Sequence, residues 1–181
     1  MAIRHKFVSE KEDGGDETLV LPSNWNDDHE CTLVQIHLTK SSQTENIGGS
    51  NGTKQQIGWD NELRKDTGFT HDNVTNNTRI QVDADGRYRV RATVSAQQTS
   101  SSRATIMLYI RVNGSIEVKR CVARNYSRGS GYGDVSVNIN TDVDLDDGDY
   151  IELQTQVDDA TKTDAVNTYT DQCECIVERA E

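Results

Sequence analysis

Apolar residues recur at every second position in run after run along this chain. Nowhere do they keep the three-and-four spacing of a helix for ten residues or more. Period-two alternation places one set of side chains on each face of a pleated strand. In 32–38, Thr32, Val34, Ile36 and Leu38 share a face. In 88–96, Tyr88, Val90, Ala92, Val94 and Ala96 point one way, while Arg87, Arg89, Arg91, Thr93 and Ser95 point the other. Ala104, Ile106, Leu108, Ile110 and Val112 form a buried face over 104–112. Val135, Val137, Ile139 and Thr141 do the same over 135–141, and Ile151, Leu153, Thr155 and Val157 over 151–157. A last strand aligns Cys173, Cys175 and Val177. Asp85-Gly86, Asn113-Gly114 and Asp147-Gly148 are tight-turn pairs between these runs, and Asn113-Gly114 is the strongest hairpin signal. Many short antiparallel strands without helices predict an all-β sandwich or jelly roll.

Composition bounds what such a sandwich can do. A chain of 181 residues suits one domain whose core needs no disulfide staples. With 33% apolar residues the surface must be very polar, and a net charge of −11 argues against gripping nucleic acid or an anionic membrane. No apolar run approaches the length of a spanning helix, and the start, MAIRHKFVSEKEDGG, shows no apolar leader core. The expected site of synthesis is a reducing cytoplasm, since Cys31, Cys121, Cys173 and Cys175 form no disulfide-scaffold pattern. Asp outnumbers Glu 19 to 11 and Arg outnumbers Lys 12 to 7. A salt-rich solvent screens such a chain's self-repulsion, which suits a halophilic host.

Three zones follow. Residues 1–30 are acidic, with isolated apolar pins at Phe7, Val8, Leu19, Val20, Leu21 and Trp25, and read as an extended anchoring arm ordered by a partner. Residues 31–181 form the sandwich, interrupted at 39–54 by a polar Gly/Ser/Thr/Asn-rich loop.

The order of motifs in 31–181 resembles a C1q/TNF-like jelly roll, in the version common in phage and bacterial proteins. TLVQIHL, DADGRYRVRATVSA, IMLYIRVNGSIEVKR and VDLDDGDYIELQTQV carry the resemblance. DGRYRV matches a Gly-x-Tyr signature and LDDGDYIEL a Gly-Asp-x-aliphatic one. Residues 5–29 are similar to an N-terminal segment of tailed-phage virion proteins, matching at His5, Phe7, Val8, Ser9, Asp13, Gly14, Pro22, Ser23, Trp25, Asn26 and His29. Together these resemblances imply a non-enzymatic virion structural protein. It would be a homotrimeric capsid decoration or turret-like spike on a tailed virus, made in the host cytoplasm and displayed on the virion surface. Its arm would meet the major capsid protein or tail and portal proteins, and its head would touch a host surface glycan. The alternative is a receptor- or carbohydrate-binding tip of a tail fibre or baseplate.

Apart from the resemblance, Met107 and Tyr109 lie opposite the core face of 104–112, and Tyr150 adjoins Ile151. Apolar groups on both faces suggest that a second face is covered too. Tyr88, Met107, Tyr109 and Tyr150, with the basic row Arg87, Arg89 and Arg91, are therefore the expected trimer or partner interface. Three like charges at two-residue spacing repel unless opposed, and cross-strand acids such as Glu152 are the expected partners.

Other constellations carry less. Asp144, Asp146, Asp147 and Asp149, preceded by Asp142, invite calcium, but counting from Asp142 the run fails the EF-hand pattern at its sixth and twelfth positions. No cofactor is expected otherwise. Cys173 and Cys175 read as buried free thiols, because no histidine grouping completes a zinc set. The stretch Arg128 to Gly133 lies between strands rather than before a helix, so it is a flexible loop flanked by Tyr126 and Tyr132. Sequons at Asn51, Asn73, Asn76, Asn113 and Asn125 have little weight without a leader. No HExxH or Walker loop occurs.

Overall fold

The computed structural model describes residues 2–3, 29–30, 33–42, 44–47, 53–98, 103–118, 122–128, 133–158 and 166–180. The chain divides at Leu33/Val34 into two units. In the first, β1 (Ala2–Ile3) pairs antiparallel with β2 (His29–Glu30). His29 is the only arm residue named above that falls there; Phe7, Val8, Leu19, Val20, Leu21, Pro22 and Trp25 lie outside the described residues.

The second unit is built of strands alone among its described residues. These are β3 (Gln35–Thr39), β4 (Gln55–Gln56), β5 (Asn61–Lys65), β6 (Phe69–Thr70), β7 (Arg79–Val82), β8 (Gly86–Gln98), β9 (Ala104–Val112), β10 (Ile116–Glu117), β11 (Ala123–Ser127), β12 (Asp134–Leu145), β13 (Tyr150–Val157), β14 (Val166–Thr168) and β15 (Glu174–Arg179). One sheet runs β12-β8-β15-β3-β5, with β14 also on β8. The other runs β10-β9-β13-β7-β6, with β11 also on β9 and β4 on β13. Every pairing is antiparallel. Sequence neighbours repeatedly fall in opposite sheets: β7 leads to β8, β8 to β9, and β12 to β13. That crossing is what makes the sandwich a jelly roll.

The alternation read from the sequence is the alternation that packs. Inward residues of both sheets, among them Ile36, Leu38, Val90, Val94, Ile106, Leu108, Ile110, Val137, Ile151, Leu153 and Val177, form one core. Burying each large aliphatic side chain contributes about 1.5–3 kcal/mol. Boundaries shift modestly from expectation. β9 spans the expected residues, β12 continues four residues further, and the first strand of this unit begins at Gln35 rather than Thr32. The Asn113-Gly114 hairpin forms with φ of 51° and 66°, the left-handed pair that a tight turn needs.

Within 39–54, the described residues 45–47 are less loop-like than the composition of the segment suggests. Asn46 bridges Asn167, Ile47 donates its N–H to the Val166 carbonyl at 2.7 Å, and the Ile47 side chain enters the core. The Glu45 N–H also donates to Thr168 Oγ1 at 2.9 Å, so hydrogen bonds and one apolar side chain together hold residues 45–47.

Two expectations for the interface are corrected here. Tyr88 faces inward and is fully buried. Its ring meets Phe69 edge-on at 5.9 Å between centroids, and its hydroxyl donates to the Ala84 carbonyl at 2.7 Å. It is a core residue and unavailable to a second chain. Met107 and Tyr109 do lie on the outward face of β9, yet both are buried within the single chain. The Tyr109 hydroxyl donates to Gln156 Oε1 at 3.0 Å and Lys54 Nζ stands 4.1 Å from its ring centroid. These apolar groups need no second copy to cover them.

Candidate assembly surface

The outward face of the six-stranded sheet follows directly from the register. Arg87, Arg89 and Arg91 alternate with the buried Tyr88, Val90 and Ala92, so all three guanidinium groups leave the core on the same side. β12 lies antiparallel beside them with Asp144 opposite Arg87 and Asp142 opposite Arg89. Arg87 Nε donates to Asp144 Oδ1 at 2.9 Å and Arg89 Nε to Asp142 Oδ1 at 3.0 Å. Arg91 donates to Glu178 on β15, the strand at the other edge of β8. The arginine row is opposed as cross-strand pairing requires, but not by Glu152. That residue sits in the other sheet, where its Oε1 accepts from Arg79 Nε at 3.3 Å.

Electrostatics agree with the geometry. The hydrogen bond from Arg87, together with its charge, holds the Asp144 carboxyl below the usual carboxylate range. The hydrogen bond to Asp142 raises Arg89 further above its ordinary value.

Beyond the arginines the face is a set of polar rows. Asn138, Thr93, Glu174, Thr39 and Asn61 align across five strands. Thr93 Oγ1 donates to Asn138 Oδ1 at 2.8 Å, and Asn61 Nδ2 to Thr39 Oγ1 at 2.9 Å. The next row is Asn140, Arg91, Ile176, His37 and Arg64, with His37 Nε2 3.5 Å from Glu174 Oε2. Ile176 is the half-buried apolar centre of that row. It escaped sequence reasoning, although an Ile on the opposite face from Cys175 and Val177 was a visible departure from alternation.

The other expected sites fall elsewhere. Tyr150 lies in the seven-stranded sheet with Arg79 stacked 4.5 Å from its ring centroid, so it shares no surface with the arginine row. Among Asp144, Asp146, Asp147 and Asp149, the first is paired with Arg87 and the last accepts from Asn113 Nδ2 at 2.7 Å. Asp149 Oδ2 also accepts the Asp146 N–H at 3.0 Å, and the Asp147 N–H goes to Asp85 Oδ1 at 2.7 Å. These acids tie turns together, and no group of three or more potential metal ligands gathers among the described residues. Cys173 and Cys175 are buried free thiols. Of the Arg128 to Gly133 stretch, residues 129–132 lie outside the described residues.

Strand order, register and inward faces define an antiparallel jelly-roll sandwich of the C1q/TNF type. Solved structures with this fold include murine APRIL, in crystal structures at pH 5.0, pH 8.0 and pH 8.5. Each matches at a TM-score of 0.55 with 10% sequence identity, covering 82% of this chain and 99% of the APRIL chain. No family model and no curated protein matches the sequence.

Proposed function

We propose that this chain is a non-enzymatic structural protein that self-assembles as a homotrimer through the outward face of its six-stranded sheet. The observation that carries the reading is charge balance. Copies of a chain with net charge −11 repel one another over most of their surface. On this face Arg87, Arg89 and Arg91 answer Asp142, Asp144 and Glu178, and His37 adjoins Glu174. Two copies meeting there bring together paired charges, hydroxyls, amides and the apolar centre Ile176. The likeness to a C1q/TNF-type jelly roll supports closed symmetry, which also leaves no growing edge.

The finer reading places the trimer on a virion surface as a decoration or short spike, with residues 1–30 as the anchoring arm. It rests on the similarity of residues 5–29 to the virion segment. The exposed Tyr126 on β11 favours, as a second reading, a receptor-binding tip. Copy number separates the two, since decoration needs many copies per particle and a tip needs few.

Light scattering coupled to size exclusion, in molar salt and in low salt, tests the assembly. A trimeric mass in molar salt that falls to monomer in Ile176→Lys, with the far-ultraviolet spectrum unchanged, is the expected result. A monomeric wild type, or an Ile176→Lys trimer as stable as the parent, overturns the proposal.

A further inference from the structure

Lys40 follows β3 and its side chain is wholly buried. Its Nζ donates to the Gly58 carbonyl at 2.7 Å and lies 2.9 Å from Glu45 Oε1. The same carboxylate oxygen accepts the Gly58 N–H at 2.8 Å, while Glu45 Oε2 is buried with no hydrogen-bond partner. The Asn77 carboxamide crowds the same glycine. A Cβ built on Gly58 would stand 2.7 Å from Glu45 Oε1, 2.9 Å from Asn77 Nδ2 and 3.0 Å from Asn77 Oδ1. The Trp59 N–H donates to the Asn77 carbonyl at 2.9 Å, and the buried Trp59 ring adjoins the group in sequence. An amine, a carboxylate and a carboxamide thus surround one residue that has no side chain, with Lys40 and Gly58 buried and Glu45 and Asn77 partly exposed.

A structural ion pair accounts for the charge on Lys40. It leaves unexplained a carboxylate with one oxygen unpaired and a carboxamide packed onto the glycine that receives the amine. We propose that Lys40 and Asn77 are joined by an intramolecular isopeptide bond, with Glu45 as the proton carrier. The unpaired Glu45 Oε2 takes a proton from the Lys40 ammonium, an exchange that replaces a wholly buried charge and a partly buried one by two neutral groups. The amine turns from the Gly58 carbonyl across the carboxyl group, and its lone pair attacks Asn77 Cγ. Glu45 returns the proton to the departing nitrogen while the amine loses its second proton to the same carboxylate. The Cγ–Nδ2 bond breaks, a Cγ–Nζ bond replaces it and ammonia leaves. Nothing is oxidised or reduced and no co-reactant enters. The bond would tie the end of β3 in one sheet to the residue pair that leads into β7 in the other, a covalent staple across the sandwich.

Mass spectrometry of the reduced, denatured full chain, followed by tryptic mapping, tests this directly. The expected mass is short by one ammonia, about 17 Da, as for any such condensation. Trypsin, unable to cut at the acylated Lys40, should yield residues 12–54 joined to 66–79. A full mass with free peptides 41–54 and 66–79 overturns the proposal. So does a deficit of about 18 Da mapped to Lys40 and Glu45, which is loss of water in a different bond. Glu45→Gln should restore the full mass in a protein whose circular dichroism is unchanged, and a persistent deficit there removes Glu45 from the step.

Discussion

His71 Nδ1 stands 2.9 Å from Glu62 Oε1, and Lys65 Nζ closes on the other oxygen of that carboxylate at 2.9 Å. Partial burial is the largest single influence on Glu62 and pushes its pKa up. The hydrogen bonds from His71 and Lys65, with the electrostatic influence of Lys65 and then of His71, together outweigh it and hold the carboxyl below its ordinary value. A carboxyl lowered on folding contributes stability that is present above its unfolded value and lost as pH falls through its folded one. Thermal melts recorded between about pH 6 and pH 3, the span of carboxylate titration, should therefore show a declining midpoint. Glu62→Gln should flatten part of that decline while lowering the midpoint at neutral pH. An acid limb of unchanged steepness in the variant would refute the assignment.

Gly133 and Gly114 should respond differently to a methyl group. A Cβ on Gly133 would lie 2.1 Å from the Gln98 carbonyl oxygen, a backbone atom of the paired strand that cannot move aside. Gly114 holds a left-handed φ of 66°, and its Cβ would meet the Tyr150 hydroxyl at 3.0 Å and Glu152 Oε2 at 3.7 Å, both at the ends of side chains. Gly114→Ala should cost about 1–2 kcal/mol, the ordinary penalty for a left-handed non-glycine residue. Gly133→Ala should cost more or break the β8–β12 pairing at its end. Urea unfolding of the two variants ranks them, and equal midpoints would contradict the packing at Gly133.

Tyr88 illustrates how far the sequence could be read. Its place in a period-two run with Val90 and Ala92 already assigned it to the inward face, and its ring is there. Naming it an interface residue weighed aromatic chemistry above alternation, and alternation won. The core, the main strands and the Asn113-Gly114 turn were legible because each depends on residues adjacent in sequence. The partners of the arginine row were not, because they depend on which strand lies beside β8. β12 brought Asp142 and Asp144, β15 brought Glu178, and Glu152 went to the other sheet. Lys40, Glu45, Gly58 and Asn77 gave no signal at all, since nothing in their spacing shows that they converge.

The same residue supplies a stability test. Tyr88→Phe removes the hydroxyl that donates to the Ala84 carbonyl and keeps the ring against Phe69, for an expected loss of about 1 kcal/mol. Tyr88→Ala deletes the ring as well and should cost about 3–5 kcal/mol, the range for aromatic truncation in a core. Burial raises the Tyr88 phenol above its ordinary pKa, so its ultraviolet ionisation step should disappear from the high-pH tail in Tyr88→Phe. A loss within error for both variants would place the ring outside the core.

Cys175 is buried between β8 and β3, and burial pushes its thiol far above the ordinary range. Burial likewise raises Cys173, against the hydrogen bond its sulfur accepts from the Ser95 N–H at 3.4 Å, which acts in the opposite direction. Only a thiolate reacts readily. Alkylation at neutral pH followed by peptide mapping should leave Cys173 and Cys175 unmodified in the folded chain and modify both in denaturant. Cys175→Ser should destabilise by about 1–3 kcal/mol, because it places a hydroxyl where a small apolar group sat. Rapid native labelling at Cys175 would contradict its burial.

Arg79 and Arg87 each face one carboxylate across a strand pair, and their losses should differ sharply. Arg87 and Asp144 are both exposed, so the solvent already screens them and takes over when either is removed. Glu152 is only 1% exposed, and its Oε1 accepts from Gln56 Nε2 at 2.9 Å and Thr78 Oγ1 at 3.2 Å as well as from Arg79. Its Oε2 has no hydrogen-bond partner, so removing Arg79 leaves a buried charge with neutral donors alone at Oε1. Breaking a buried pair costs about 3–5 kcal/mol, and roughly 2 kcal/mol is expected here because Arg79 itself is half exposed. Arg79→Ala should therefore lower the melting midpoint by several degrees, and Arg79→Ala with Glu152→Gln should recover most of it. Arg87→Ala should barely move it. A double variant as unstable as Arg79→Ala would show that the loss lies in the stacking of Arg79 on Tyr150 rather than in the stranded carboxylate.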